Sequence, residues 1–247
     1  METPLSREEL EKKIKNGENV SKVNTSLIDD MKELFHGNQK FNQPLNDWDV
    51  SKVTDMNHMF SVATSFNQPL NDWDVSKVKN MGDMFHSAKS FNQPLNNWDV
   101  SNVENMACMF NNATSFNHPL NEWNVSTVED MAGMFWNAKS FNQPLNNWDV
   151  LNVTNMNRMF CWATSFNQPL NNWDVSNFED MKWMFHSAKN YTFPFKTWKL
   201  KSDCDTTYFL LGCNLWQLFN TVEDLPMQKD KRIIRIIIGN RKTWKIL

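Results

Sequence analysis

The sequence predicts an α/β solenoid in which one short strand and one short helix recur in every 25-residue coil. Three observations predict it. A string of the form FNQPLNxWDVSxVxxMxxMFxxAxS opens at Phe41, Phe66, Phe91, Phe116, Phe141 and Phe166 with no insertion between copies. Each copy holds two hydrophobic periodicities, one suited to a strand and one to a helix. A single copy also has too little apolar surface to fold alone, whereas stacked copies share continuous columns of Phe, Leu, Trp, Val, Met and Ala.

Residues 1–40 read as a capping helix followed by a partial repeat. Ser6 and Glu9 have capping-box spacing, and Leu5 with Leu10 has the spacing of a hydrophobic staple. A helix over residues 7–16, stopped by Gly17, is expected to cover the first coil. Met31, Leu34, Phe35 and Phe41 then match Met56, Met59, Phe60 and Phe66 one period later.

Residues 41–190 hold the six regular copies. In the copy that begins at Phe91, Trp98 and Val100 alternate with Asn97, Asp99 and Ser101, the pattern of a strand with polar residues outward. Pro94 and the asparagines around it suit a turn entering that strand. Val103, Met106, Phe110 and Ala113 then fall at i, i+3, i+7 and i+10, one face of a short helix. Ser101 and Glu104 are spaced as its capping box, as are Ser126/Glu129 and Ser176/Glu179. Strands of successive coils would align as a parallel sheet on one face.

Residues 191–247 depart from the repeat. Tyr191 opens a degenerate copy that keeps Pro194 and Trp198, and after Leu200 the pattern is lost. CNLWQLFNTVEDLP then reads as a helix closing the other end. KRIIRIIIGNRKTWKIL reads as a hairpin turning at Gly239-Asn240. Such an apolar and basic hairpin invites edge pairing if exposed. It either docks on its own chain as a cap or pairs with a neighbouring subunit.

Net charge is −3, and the pI of about 6.0 argues against a general grip on nucleic acid. The charge is uneven: residues 41–190 carry 15 acidic against 8 basic side chains, and residues 228–247 carry 7 basic against 1 acidic. No apolar run is long enough to span a membrane, and the first twenty residues lack the apolar core of a signal peptide. A soluble protein is expected, in the cytoplasm or within a viral or cellular assembly. Cys108, Cys161, Cys204 and Cys213 match no zinc spacing and are expected to be free thiols.

The order Leu95, Trp98, Val100, then Val103, Met106, Met109, Phe110, Ala113 and Phe116, resembles the BspA-like leucine-rich repeat of surface proteins. It is most similar to the variant of bacterial lipoproteins and large DNA viruses that reads WDVSNVTNMxxMFxxAxxFNQ. Residues 147–160, NWDVLNVTNMNRMF, nearly reproduce it. The resemblance covers about residues 17–200 and implies a leucine-rich-repeat-type fold with a role in protein contact.

Three sets of residues are candidates for that role. Asp49, Asp74, Asp99, Asp149 and Asp174, interrupted by Asn124, form an outward acidic column. Either each carboxylate accepts backbone N–H bonds in its own turn, or the column binds a cation or basic peptide. Trp136, Trp162 and Trp183 stand at variable positions in consecutive copies, where they are either interface anchors or partly buried by chance. His36, His86 and His186 share a column but skip coils, with His58 and His118 placed elsewhere, so no metal site is expected. The columns begun by Asn42 and Asn46 are expected to be structural amide ladders. No nucleophile-base pair, phosphate loop or cofactor motif is present. The expected function is a non-catalytic interaction or assembly scaffold, for example a component of a virion, with protein partners and no cofactor; the alternative is a secreted or surface adhesin.

Overall fold

The computed structural model describes residues 3–195 and 197–213. Among them α1, Arg7–Lys15, is the one helix. Its start follows the expected capping box: the Glu9 N–H donates to Ser6 Oγ at 3.2 Å, and the Ser6 N–H donates to Glu9 Oε2 at 2.8 Å. The chain leaves at Asn16 and turns through Gly17 at φ +71°, where a side chain would be strained. Leu10 is fully buried, and Leu5 packs against the core.

Arg7 shows what α1 does for the rest of the chain. Its guanidinium donates to the carbonyls of Asp30, at 3.1 Å, and Lys32, at 2.5 Å, on the outer edge of the first coil. It also pairs with Glu11 and Asp30, each at 2.7 Å. The helix thus delivers a cation to carbonyls that no earlier coil is there to satisfy.

From Asp30 onward the coils stack in a 25-residue register. The N–H groups of Met106, Cys108, Phe110 and Asn112 donate to the carbonyls of Asp130, Ala132, Met134 and Trp136 in the next coil, at 2.7 to 3.0 Å. Between them, the N–H groups of Met109, Asn111 and Ala113 donate three residues back, to Met106, Cys108 and Phe110. Donors therefore alternate between the next coil and the local turn.

This alternation overturns the expected α/β leucine-rich-repeat-type solenoid. A helix sends every N–H to the carbonyl four residues back, but half of these go to another coil. Cys108 and Asn112 also adopt φ of +56° and +58°, outside any right-handed helix. The spacing of Val103, Met106, Phe110 and Ala113 imitates a helix because three-residue turns also return a side chain inward every third position. Among the described residues no sheet forms either. β-pairing among the described residues is a file of isolated parallel bridges, Asp30↔Asp55 through Asp180↔Asp205, one residue long in each coil. The expected strand fails because Trp98 closes a turn onto Leu95 and Val103 closes one onto Val100, at 3.2 and 2.9 Å. The capping boxes assigned to Ser101/Glu104, Ser126/Glu129 and Ser176/Glu179 go with the helices. The N–H groups of Glu104, Glu129 and Glu179 bond to the preceding coil instead, at Lys79, Glu104 and Thr154.

The core follows the repeat closely. Phe91, Leu95, Trp98, Val100, Val103, Met106, Met109, Phe110 and Ala113 are all buried, as are their equivalents in the other five regular copies. Phe60, Phe85, Phe110, Phe135 and Phe160 stack with ring centroids 5.6 to 5.8 Å apart, which fixes the rise of the array. Each buried tryptophan also ties two coils: Trp98 Nε1 donates to Leu70 O at 2.8 Å, and the same bond recurs from Trp48 to Trp198.

The repeat does not end at Leu200. Met181, Phe185 and Ser187 donate to Asp205, Phe209 and Leu211, so a further coil runs to Cys213. It escapes sequence reading because Thr206 and Phe209 stand at the two Met positions and Leu210 at the Phe position. The helix expected over 213–226 and the hairpin expected over 231–247 lie outside the described residues.

Candidate partner-binding face

The acidic column resolves into local turns. Oδ1 of Asp49, Asp74, Asp99, Asp149 and Asp174 accepts the backbone N–H two residues on, at 3.0 to 3.1 Å. Ser51 and Ser76 add hydroxyl bonds at 2.7 and 2.6 Å. The Ser hydroxyl and N–H hold the carboxyls of Asp49, Asp74 and Asp174 below the usual range. Asn124 accepts from Ser126 in the same way, so the column requires an acceptor rather than a charge. The amide columns bridge coils: each backbone N–H from Asn67 to Asn167 donates to the Oδ1 of the asparagine one coil earlier, at 2.8 to 3.0 Å.

The variable positions behave differently. Residues 33, 58, 83, 108, 133, 158, 183 and 208 all have φ between +54° and +61°, and the column from 37 to 212 is likewise left-handed. These are the second corner residues of the turns, where φ above zero is required and the side chain leaves the core. A non-glycine residue there is disfavoured by about 1 kcal/mol. Glycine occupies only Gly37, Gly133 and Gly212 in the two columns.

Three of the bulky residues on this face are the tryptophans singled out from sequence; two of them flank one cation and the third joins the group through His186. The Arg158 guanidinium carbon lies 5.4 Å from the Trp136 ring centroid and 6.0 Å from that of Trp183. Trp183 meets Tyr208 at 4.3 Å and stands edge-on to His186 at 4.9 Å, while Trp162 meets the same His186 at 5.7 Å. Trp136 and Trp162 stay 36% and 43% exposed. Sequence reading missed Arg158. The signal was the offset: position 158 lies 22 residues after 136, one coil less one three-residue turn, and 25 before 183.

The same offset joins histidines that the sequence analysis kept apart. His36 and His58 have ring centroids 5.8 Å apart, and His58 Nε2 and His86 Nδ1 lie 3.8 and 3.7 Å from the two oxygens of Asp83. Burial lowers the pKa of His86 despite Asp83, and burial likewise lowers that of His186. Among the described residues no group of three or more His, Cys, Asp or Glu side chains is placed to hold a metal ion. The thiols of Cys108 and Cys204 are pushed up to about 11 and that of Cys161 to about 12 by burial, which leaves them protonated and unreactive near neutrality. No helix among the described residues is long and apolar enough to cross a membrane.

Fold and surface together define a tandem-repeat protein: constant residues build the stack and variable ones dress one face of it. The chain belongs to the family described as Mycoplasma protein of unknown function, DUF285, which matches residues 6–123 and 115–219. No curated protein matches it.

Proposed function

We propose that the protein is a non-catalytic interaction module that docks another protein on the outward face of its C-terminal coils. The observation that carries this reading is the aromatic group Trp136, Trp162 and Trp183, two of them substantially exposed and none part of the core columns. Tryptophan, tyrosine and arginine are the residue types that most often dominate binding energy at protein interfaces. The likeness of the repeat to the BspA-like pattern supports a role in protein contact. Near-identical coils also offer no asymmetric set of nucleophile, base and oxyanion donors.

The test is affinity capture from the native source, followed by titration of each identified protein in purified form. The triple variant Trp136→Ala, Trp162→Ala, Trp183→Ala should bind at least tenfold more weakly at an unchanged melting temperature. Full binding by that variant places the interface elsewhere.

A further inference from the structure

We infer that Arg158 is the specificity residue of that face and that it receives the carboxylate of an Asp or Glu on the partner. The inference rests on the docking role proposed above. It begins with a contrast between the two arginines of the described residues. Arg7 is saturated, with two carboxylates and two carbonyls around it. Arg158 makes no ion pair among the described residues, although the array around it is acidic.

Its neighbours explain how it stays unpaired. Asp180 is linked to Arg158 only through Asn157, which stands between the two. Arg158 Nη1 donates to Asn157 Oδ1 at 3.0 Å, while Asn157 Nδ2 donates to Asp180 Oδ2 at 3.2 Å. Lys182 then pairs with Asp180 at 3.7 Å and Asp205 at 3.1 Å, so both carboxylates already have a cation partner. Arg158 is thereby left without a carboxylate of its own among the described residues.

The Trp136 and Trp183 rings lie within cation–π distance of the guanidinium carbon, 5.4 and 6.0 Å from their centroids. Such contacts consume none of its five N–H donors, which stay available to other partners. Asn157 uses one donor. A fork held in place loses less entropy when it binds, and it suits a carboxylate through two parallel bonds. The position is not one that the fold reserves for a long side chain: Gly133 holds it one coil earlier, and Arg158 keeps a left-handed φ of +57°. The exposed faces of Trp136 and Trp162 add apolar area beside the charge, which a folded or peptide partner covers and a small free anion does not. The occupant is therefore an acidic residue flanked by apolar ones on another protein.

The test uses a displayed library of random peptides selected on the full chain, with counter-selection on the triple tryptophan variant. Enriched peptides should carry Asp or Glu next to Leu, Phe or Trp. For a chosen binder, Arg158→Gln should weaken affinity at least tenfold, and changing the peptide's acidic residue to its amide should weaken it equally. The two changes together should cost little more than either alone, because both remove one contact. Arg158→Lys should recover only part of the loss, since charge returns without the fork. The peptide-side change needs no protein variant, so it reads the contact even if a substitution perturbs folding. Binders that depend on the tryptophans but tolerate both changes overturn the carboxylate assignment and leave the docking face standing. A library that yields no tryptophan-dependent binder overturns both.

Discussion

At the first left-handed corner of each coil, the N-terminal four coils carry Glu33, His58, Asp83 and Cys108, and the C-terminal four carry Gly133, Arg158, Trp183 and Tyr208. Three positions further on, the contrast continues from His36, Ser61, His86 and Asn111 to Trp136, Cys161, His186 and Leu211. Beneath both halves lie the same buried columns, the same tryptophan bonds and the same register. One scaffold thus supports an imidazole and carboxylate surface at one end and an aromatic surface with an arginine at the other. The core is indifferent to which is displayed, because the corner residues point away from it.

If that separation holds, core substitutions should be equally severe in both halves. Phe85→Ala and Phe135→Ala each remove a fully buried ring and should lower stability by about 3–5 kcal/mol in chemical denaturation. A mild effect in one half alone would show that the halves do not share one core. Next in size, Trp98→Phe and Trp148→Phe leave the buried carbonyls of Leu70 and Leu120 without their indole donor. Because the backbone N–H groups of Trp73 and Trp123 still hold those carbonyls, each should cost about 0.5–1.5 kcal/mol by the same measurement.

At the corners the sign reverses. Val62→Gly relieves a β-branched residue at φ +61° and should raise stability by about 1 kcal/mol. Trp162→Gly, at φ +59°, should gain stability similarly and lose partner binding. A stability loss at Trp162 would mean that its contact with His186 is structural.

The smallest effects are in pH. Burial lowers the pKa of His86 in one half and His186 in the other, so the fold favours their neutral forms. Their contribution is full above the unfolded value of about 6.5 and is lost as pH falls below it. His86→Asn and His186→Asn should each flatten the decline of melting temperature below that pH. Asp49, Asp74 and Asp174 have lowered pKa values, so their contribution is present above about 4 and fades as pH drops through the folded value. Asp74→Asn should remove part of that slope while keeping the turn, as Asn124 does naturally.

Much of this was legible in the sequence, for reasons that differ by residue. The period and the core columns were readable because burial repeats faithfully at the same nine positions. Helix α1 was readable because its capping box is a local contact. The coil conformation was not, because a chain that turns inward every third residue gives apolar spacings close to those of a helix. Only the left-handed corners separate the two, and the residues there, such as Val62 and Trp162, are not those that usually announce positive φ. The tryptophan cluster was half legible. The rings could be singled out as variable, but the meeting of Trp136 with Arg158 depends on an offset of 22 that only the coil geometry explains.

Arg7 carries one last consequence. Because the N–H groups of Met31, Glu33, Phe35 and Gly37, like their equivalents in later coils, point forward to the carbonyls of the next coil, this edge of the array has a direction, like an arrow. Its leading and trailing faces have opposite hydrogen-bonding character. The face at Asp30 offers carbonyl oxygens, and a cation closes it. A copy of this chain meeting that face through its own like face would oppose oxygen to oxygen. End-to-end growth by backbone pairing is therefore restricted to one polarity, and Arg7 must be displaced before it can begin.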